Sequence, residues 1–406
     1  MSIAVTPTHL EKAQALVDEA HAHGGLAPMD LDAFWEDDAR ARADPFSPDA
    51  PQVALGIGMS HECLFAELDV PEDWFRYHHD PAWLRELAKE YNDRAERIVG
   101  RRLLDEAPLP PPEDRWPTPR GLDEIFEAET VFHHESFWLM QRVSTPAELS
   151  ALLDRVERRL DRLREFLLPP EWDRAKARLE RRGIPSPIYR GQRGPVTFAC
   201  SLFGAENLIF LLLDEPALAA RFRDVILRAI LERARILDIE RGWTNPADAR
   251  HGWGWADDNC CLLNKELYDV FAKPILQAVF DRYSPDPGDS RYQHSDSAMA
   301  QHLPTLAELG LNGCNFGPTL TVEEIRAHFP HAVIDGQIAP FTFSRNDEVN
   351  LVAEAIRDCE MAKPARGLRL GTAGSINNGS RLTGLRLVMA AIQRHGRYDS
   401  GREEKA

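Results

Sequence analysis

The last third of the chain, residues 291–396, repeats one arrangement of β-strand, polar cluster and helix. Apolar, β-like runs end in short polar or glycine-rich clusters, and an amphipathic helix follows each cluster, at intervals of about 25 to 40 residues. The clusters are Gln293-His294-Ser295-Asp296, Gly313-Cys314-Asn315-Phe316, Asp335-Gly336-Gln337-Ile338-Ala339-Pro340 and Gly371-Thr372-Ala373-Gly374-Ser375. This alternation predicts an α/β fold, a (β/α)8 TIM barrel, in which catalytic residues follow the carboxyl ends of the strands.

The length fits either two domains or one α/β barrel with additions. The chain has 406 residues, of which 43% are hydrophobic and 28% charged, so a large buried core can form. We predict an N-terminal helical extension over residues 1–50, the barrel over residues 51–398 and a disordered tail over residues 399–406. The first strand is predicted at Gln52–Ile57 and the second near Phe126–Phe132.

The charge and the cysteines restrict partners and compartment. A formal net charge of -17 argues against nucleic acid and against anionic membranes as partners. No run approaches the roughly 20 apolar residues of a membrane-spanning helix, and the first 20 residues do not resemble a secretory signal. The six cysteines include no Cys-x-x-Cys pair. The cysteines therefore predict neither a disulfide scaffold nor a zinc ribbon, and we expect a reduced, cytoplasmic compartment. The expected partner is a small-molecule substrate.

His294 and Asp296 are the leading catalytic candidates. They are two residues apart at the end of a predicted strand, so their side chains point to the same face. An imidazole and a carboxylate aimed at one point can hold a metal ion, or can act as a general base with its orienting group. The alternative is a structural hydrogen bond at the rim of the barrel.

Other polar residues follow neighbouring predicted strands. Asp257 and Asp258 end the predicted strand His251–Asp258, where they could carry a proton, bind a cationic group or cap a helix. His61 and Glu62 follow the first strand and offer a base and an acid. The remaining candidates are the triplet His133-His134-Glu135 after the second strand and substrate contacts at Trp255, Asn315, Gln337 and Asn377, with core packing as the alternative for Trp255.

In order and spacing, several segments resemble the uroporphyrinogen decarboxylase superfamily, which also contains methyltransferases that move methyl groups between corrinoids and thiols. The resemblance covers residues 50–396 and implies a (β/α)8 barrel, often dimeric, with its site at the carboxyl ends of the strands. The segments are Arg193–Ala199, similar to the family's Gly-Pro-x-Thr motif; Phe271–Asp281 with His294-Ser295-Asp296, similar to a helix leading to a His-x-Cys strand end; Asp335–Pro340, similar to its Gly-Asn-x-x-Pro turn; and Arg369–His395, similar to its closing strand and helix.

Departures from the family pattern change the chemistry that the resemblance implies. The decarboxylases carry arginines that bind porphyrin carboxylates where this chain has Gly56–Glu62. Their catalytic tyrosine aligns with Ser201 and their C-terminal histidine with Gly374, so uroporphyrinogen is not the expected substrate. The zinc methyltransferases bind the metal with His-x-Cys and a distant cysteine, whereas this chain has His294 and Asp296, and again Gly374. This leaves a harder metal, or zinc with a third ligand from His61, Glu62, Cys63, Asp257 or Asp258.

Three functions remain open. The first is methyl or alkyl transfer on a small substrate, with zinc or another divalent metal at His294 and Asp296 as Lewis acid and a corrinoid, or a corrinoid protein, as co-substrate. The second is a metal-free decarboxylase or lyase for a small carboxylated substrate, in which His294 is the general acid, Asp296 orients it, and Asp257 or Asp258 carries a proton. The third is a non-catalytic corrinoid- or tetrapyrrole-binding protein.

Overall fold

A parallel sheet and the helices between its strands dominate the computed structural model, which describes residues 3–245 and 248–398. The tail that the sequence predicts to be disordered, residues 399–406, lies outside the described residues. The strands are β1 (Ala54–Leu55), β2 (Thr130–His133), β3 (Ser136–Leu139), β4 (Trp253–Ala256), β5 (Arg291–Ser295), β6 (Gly313–Phe316), β7 (Val333–Ile338) and β8 (Leu368–Thr372).

Six of these strands form one sheet in the order β1-β8-β7-β6-β5-β4. The pairs β1/β8, β6/β7 and β7/β8 are parallel, and a parallel pair requires a crossover connection, here supplied by helices. A further parallel bridge joins Arg193 to Ala256, the last residue of β4. This topology confirms the predicted α/β fold of the (β/α)8-barrel class.

The helices include two in the predicted N-terminal extension, which is therefore helical. They are α1 (Pro7–Ala22), α2 (Leu31–Ala43), α3 (Leu64–Leu68), α4 (Trp74–His79), α5 (Pro81–Val99), α6 (Leu122–Ile125), α7 (Pro146–Leu160), α8 (Leu163–Leu167), α9 (Trp172–Arg181), α10 (Pro195–Phe203), α11 (Ala205–Asp214), α12 (Pro216–Glu240), α13 (Lys265–Phe271), α14 (Lys273–Tyr283), α15 (Leu303–Glu308), α16 (Val322–His328), α17 (Pro340–Ser344), α18 (Glu348–Ala362) and α19 (Leu382–His395). Within the described residues no single helix is long and apolar enough to cross a membrane; α10 and α11 reach that length only as a pair bent by 102°.

The chain divides into two compact units. The first unit consists of Met1–Pro108, His294–Leu303 and Leu311–Ala406, and the second of Leu109–Gln293 and Pro304–Gly310. In the first unit, α18 is the central helix, and every residue from Leu351 to Cys359 is buried. A helix buried on all sides belongs to a core. The polar side chains within that stretch must therefore find partners inside the protein.

In the second unit, the predicted barrel strand near Phe126–Phe132 is wrong. The structure has β2 at Thr130–His133, and it pairs antiparallel with β3 as a separate hairpin. His134 and Glu135 form its turn, with His134 at a φ of +56°. The side chains of β2 are exposed or half-buried, so the aromatic and β-branched residues there favour a strand without specifying the buried sheet.

Candidate active site

His294 and Asp296 lie together at the carboxyl end of β5, within the first unit. Nε2 of His294 is 3.1 Å from Oδ1 of Asp296, and the two side chains are 25% and 46% exposed. The i, i+2 spacing on a strand accounts for their common direction. Their partial exposure leaves the pair accessible to a small molecule.

The loop after β8 lies against Asp296. The backbone N–H of Ser375 donates to Oδ1 of Asp296 at 3.0 Å. The preceding residue, Gly374, has a φ of +104°, and a Cβ built on it would lie only 2.3 Å from Oδ1 of Asp296. After β6, a Cβ on Gly317 would lie 2.5 Å from the backbone oxygen of Asp296. Asp296 therefore occupies space that two glycines leave open.

The charge of Asp296 follows from the same contacts. Burial raises the pKa of this carboxyl group, but the hydrogen bond and charge of His294 and the N–H of Ser375 outweigh burial, so the pKa lies below its ordinary value. Asp296 is consequently a carboxylate at neutral pH, able to accept hydrogen bonds or to bind a cation.

The separation of His294 and Asp296 is compatible with two chemistries. At 3.1 Å, the imidazole and the carboxylate can share a hydrogen bond as an acid–base pair. Two ligand atoms each about 2.1 Å from a tetrahedral metal are about 3.4 Å apart, so the pair also has nearly the spacing that chelation needs. One nitrogen and one oxygen donor suit zinc or a harder divalent cation better than a soft metal.

The turn after β1 contacts the same loop after β8. His61–Cys63 form a short 3-10 turn, in which the N–H of Glu62 donates to Oγ of Ser60 at 3.3 Å. Sγ of Cys63 donates to the backbone oxygen of Asn377 at 3.8 Å. The loop after β8 thus contacts Asp296 through one residue and the His61–Cys63 turn through another. Three of the segments that the sequence predicts as functional therefore meet within the first unit.

His61 is an uncharged base in this turn. Burial lowers its pKa, and a hydrogen bond with the backbone of Asp105 offsets that effect only in part. The imidazole is therefore neutral at pH 7 and can accept a proton.

The side chains of Asn315 and Gln337 form hydrogen bonds with the backbone within the first unit. Nδ2 of Asn315 donates to the backbone oxygens of Asp335 and Thr372, which ties β6 to β7 and β8. Nε2 of Gln337 donates to the backbone oxygen of Leu320 at 2.9 Å. Both residues are buried. Their amide nitrogens hold strand ends and loops together, and their roles as substrate contacts remain predictions.

Asp257 caps helix α10 within the second unit. Its Oδ1 accepts the N–H of Thr197 at 2.7 Å and its Oδ2 the N–H of Val196 at 3.2 Å. A Cβ on Gly194 would lie 2.2 Å from Cβ of Asp257, so only glycine permits this approach. Pro195 then begins the helix, where a missing N–H costs nothing. The Gly-Pro-x-Thr pattern is thereby explained as a helix start built around a buried carboxylate.

Asp258 and Trp255 lie in the second unit as well. Asp258 is half-buried and precedes the 3-10 turn Asn259–Leu262. Trp255 is 2% exposed, with its ring 5.6 Å from that of Trp253. This placement matches the core-packing alternative for Trp255. The proton-carrying and ligand roles of Asp258 remain predictions from the sequence.

We expect the difference in the free energy of unfolding between the parent and the Asp257→Asn variant to depend on pH. Burial raises the pKa of Asp257 from its ordinary 3.8 to about 6, although the N–H groups of Thr197 and Val196 lower it. Between pH 4 and pH 6 the unfolded chain loses this proton and the folded chain retains it, so the parent loses stability as the pH rises. Relative to the variant, the parent should lose about 3 kcal/mol across that window and nothing further above it. Denaturant unfolding at several pH values measures the difference, and a pH-independent difference would contradict the assignment.

The loop after β8 is glycine- and asparagine-rich, and its sequence predicts backbone N–H groups that could bind an anion. The sequence does not show that the anion is the side chain of Asp296, which accepts the N–H of Ser375. Reasoning from the sequence misses Gly317, which shows only as a glycine after a strand. The alignment of Gly374 with a cysteine of the methyltransferases suggests the loss of a ligand, whereas the structure shows the carboxylate of Asp296 in that space.

A second group of ligand-type atoms lies at the amino ends of β4 and β5. His251, Asp286 and Asp289 place a nitrogen and carboxylate oxygens within 4.8 Å of one another in the second unit. Because sites in this fold class lie at the carboxyl ends of the strands, this partly exposed group is not assigned a catalytic role.

Comparison with known proteins gives one family and one fold. Residues 177–395, more than half of the chain, match the model of the family described as uroporphyrinogen decarboxylase (URO-D). Among solved structures, a methyltransferase from Methanosarcina mazei is 16% identical with a TM-score of 0.51, over 88% of this chain and 97% of that one. At this identity the similarity shows the fold alone. None of the curated proteins matches significantly.

Proposed function

We propose that this chain, which belongs to the uroporphyrinogen decarboxylase family, is an enzyme that transfers a methyl or alkyl group on a small substrate, using a divalent metal held by His294 and Asp296. The observation that carries the proposal is the 3.1 Å separation of Nε2 of His294 from Oδ1 of Asp296 at the carboxyl end of β5. In this fold class that end of the sheet is where catalytic residues lie. The methyltransferase activity of the similar solved structure agrees with it.

The residues around the pair fit a metal. The lowered pKa keeps Asp296 ionised, and the N–H of Ser375 orients the carboxylate in the way that an outer-shell donor orients a ligand. The donor set of one imidazole and one carboxylate, with Gly374 in place of a thiolate, favours zinc or a harder divalent ion. When bound, such an ion supplies Lewis acidity, which lowers the pKa of a thiol or water.

A direct test is methyl transfer from methylcobalamin to a small thiol, 2-mercaptoethanol, by the zinc-reconstituted protein. The Co–C bond breaks with its electron pair left on cobalt, the thiolate sulfur forms the new S–CH3 bond, and the absorbance of the corrinoid reports the change. We expect turnover by the parent and a loss of about 100-fold or more in His294→Ala and Asp296→Ala. His331→Ala, an exposed histidine of the same unit, is the control and should keep the parent rate. Equal rates in parent and His294→Ala, or no transfer at all, would contradict the proposal.

The metal-free alternative also has an observation in its favour. The contact between His294 and Asp296 is itself of hydrogen-bond length, and a carboxylate that orients an imidazole is the arrangement of a general acid. Such a decarboxylase or lyase would keep its activity on a small carboxylated substrate after exhaustive chelation. A metal-dependent transferase would instead lose its transfer activity after chelation.

A further inference from the structure

A cavity of about 240 Å³ within the second unit combines apolar walls with two arginines. Phe137 and Leu139 of β3 line one side of it, and Arg193 and Arg233 also line it. The backbone of Arg193 bridges to Ala256 at the carboxyl end of β4. The hairpin found where the second barrel strand is predicted therefore lines a partly open space beside the carboxyl end of β4.

Arg233 brings a buried positive charge to this cavity. The residue is 7% exposed. Its Nε donates to the backbone oxygen of Arg120 at 3.1 Å, and its Nη1 to that of Tyr189 at 2.8 Å. Among the described residues, no carboxylate forms an ion pair with it, and its Nη2 has no hydrogen-bond partner. Burial lowers the pKa of Arg233, and the charges of Asp123 and Glu124 offset this only in part. A buried cation that is not directly paired with a carboxylate is unfavourable.

Two further donors of the lining lack partners in the protein. Nε2 of Gln192 is buried and has no hydrogen-bond partner in the described part of the chain. The guanidinium of Arg193 likewise makes no hydrogen bond or ion pair with residues 3–245 or 248–398. Asp123 also lines the cavity, but one of its oxygens accepts the hydroxyl of Thr130 at 2.9 Å. Two arginines against one aspartate leave the lining with a net positive charge.

We propose that this cavity binds the carboxylate of a small organic acid. The arginines offer the paired N–H groups that carboxylates accept, and the amide of Gln192 supplies a further donor. The apolar part of the acid packs against Phe137 and Leu139. A single net positive charge and apolar walls favour a monocarboxylate over a phosphate. This site is independent of a metal at His294 and Asp296.

The test is ligand-observed NMR titration of the full chain with acetate, butyrate and benzoate, each compared with its neutral amide. We expect saturable binding of at least one acid and binding of its amide that is at least about tenfold weaker, because the amide lacks the charge. Arg193→Gln, which removes a guanidinium without a protein partner, should weaken binding by about tenfold or more. Arg158→Gln, an exposed arginine of the same unit on α7, should not.

Binding of none of the acids, equal binding of acid and amide, or unchanged binding by Arg193→Gln would overturn the proposal. Arg233→Met serves as a second variant, with circular dichroism as the check on folding, because the guanidinium of Arg233 also holds two backbone oxygens. The readout is binding and not turnover. A negative result would therefore leave the proposal of a metal-dependent transferase standing.

Discussion

Replacing Arg357 by methionine is expected to lower the free energy of unfolding by about 3 to 5 kcal/mol. Arg357 and Asp358 form an ion pair of 2.7 Å in the core of the first unit, with side chains 2% and 0% exposed. Nη2 of Arg357 also donates to the backbone oxygen of Gln337 at 2.9 Å, and Oδ2 of Asp358 accepts the N–H of Gln337 at 3.3 Å. The variant would leave a buried carboxylate without its cation and the end of β7 without one of its supports.

The deficit of Arg357→Met should grow with pH. Burial raises the pKa of Asp358 to about 6, even though the charge of Arg357 lowers this pKa. Without Arg357 the pKa rises further. The folded variant then holds the proton to higher pH than the unfolded chain, and it loses more stability than the parent as the pH rises above 6. Urea unfolding at pH 5 and pH 8 measures both effects.

Two further variants separate the ion pair from a general effect of losing an arginine. Arg97→Met, at an exposed position of α5 in the same unit, should change stability by less than about 0.5 kcal/mol. Arg357→Leu combined with Asp358→Leu should be more stable than Arg357→Leu alone, because the unpaired carboxylate is gone. A pH-independent loss in Arg357→Met equal to that of Arg97→Met would show that the pair does not stabilise the core.

Gly374→Ala should strongly weaken metal binding at His294 and Asp296. The new Cβ would lie 2.3 Å from Oδ1 of Asp296, so the carboxylate must move away from His294. The substitution also strains a backbone with a φ of +104°, at a cost of about 1 to 3 kcal/mol. We expect zinc affinity to fall by about 100-fold or more, as measured by competition with a chelating dye.

Gly242→Ala is the matched control for this change. Gly242 has a φ of +95°, and no described heavy atom beyond its own neighbours would lie within 4 Å of its new Cβ. It should show the strain without the loss of zinc affinity. In an Asp296→Ala background, Gly374→Ala should cause little further loss of affinity, because the group that it displaces is already gone. Equal zinc affinity in Gly374→Ala and Gly242→Ala would contradict the account.

The sheet and the direction of the His294–Asp296 pair are predictable from the sequence because both depend on local patterns. Runs of apolar residues ended by polar clusters specify buried parallel strands, and a spacing of two residues fixes a common face. Four predicted strand ends of the last third appear as β5 to β8. The prediction of a barrel strand near Thr130 is wrong because the residues of this strand are as suited to an exposed hairpin as to a buried sheet.

The partners of the candidate residues could not be predicted, because they depend on tertiary contacts. Asp257 is predicted to carry a proton, to bind a cationic group or to cap the element that follows it. Both of its oxygens instead accept N–H groups of α10, which lies about 60 residues earlier in the sequence. Gln337 reads as a substrate contact, but its side chain and backbone are held within the core. The sequence indicates that a metal ligand is lost at Gly374. It cannot show that the carboxylate of Asp296 lies against this glycine.

The most direct measurement of the central claim is the metal content and zinc affinity of the purified full chain, alongside His294→Ala and Asp296→Ala. The account predicts near-stoichiometric metal in the parent, or after zinc reconstitution, and its loss in both variants while His331→Ala retains it. A parent that binds no metal after reconstitution, or variants that bind it as tightly as the parent, would contradict a metal site at His294 and Asp296.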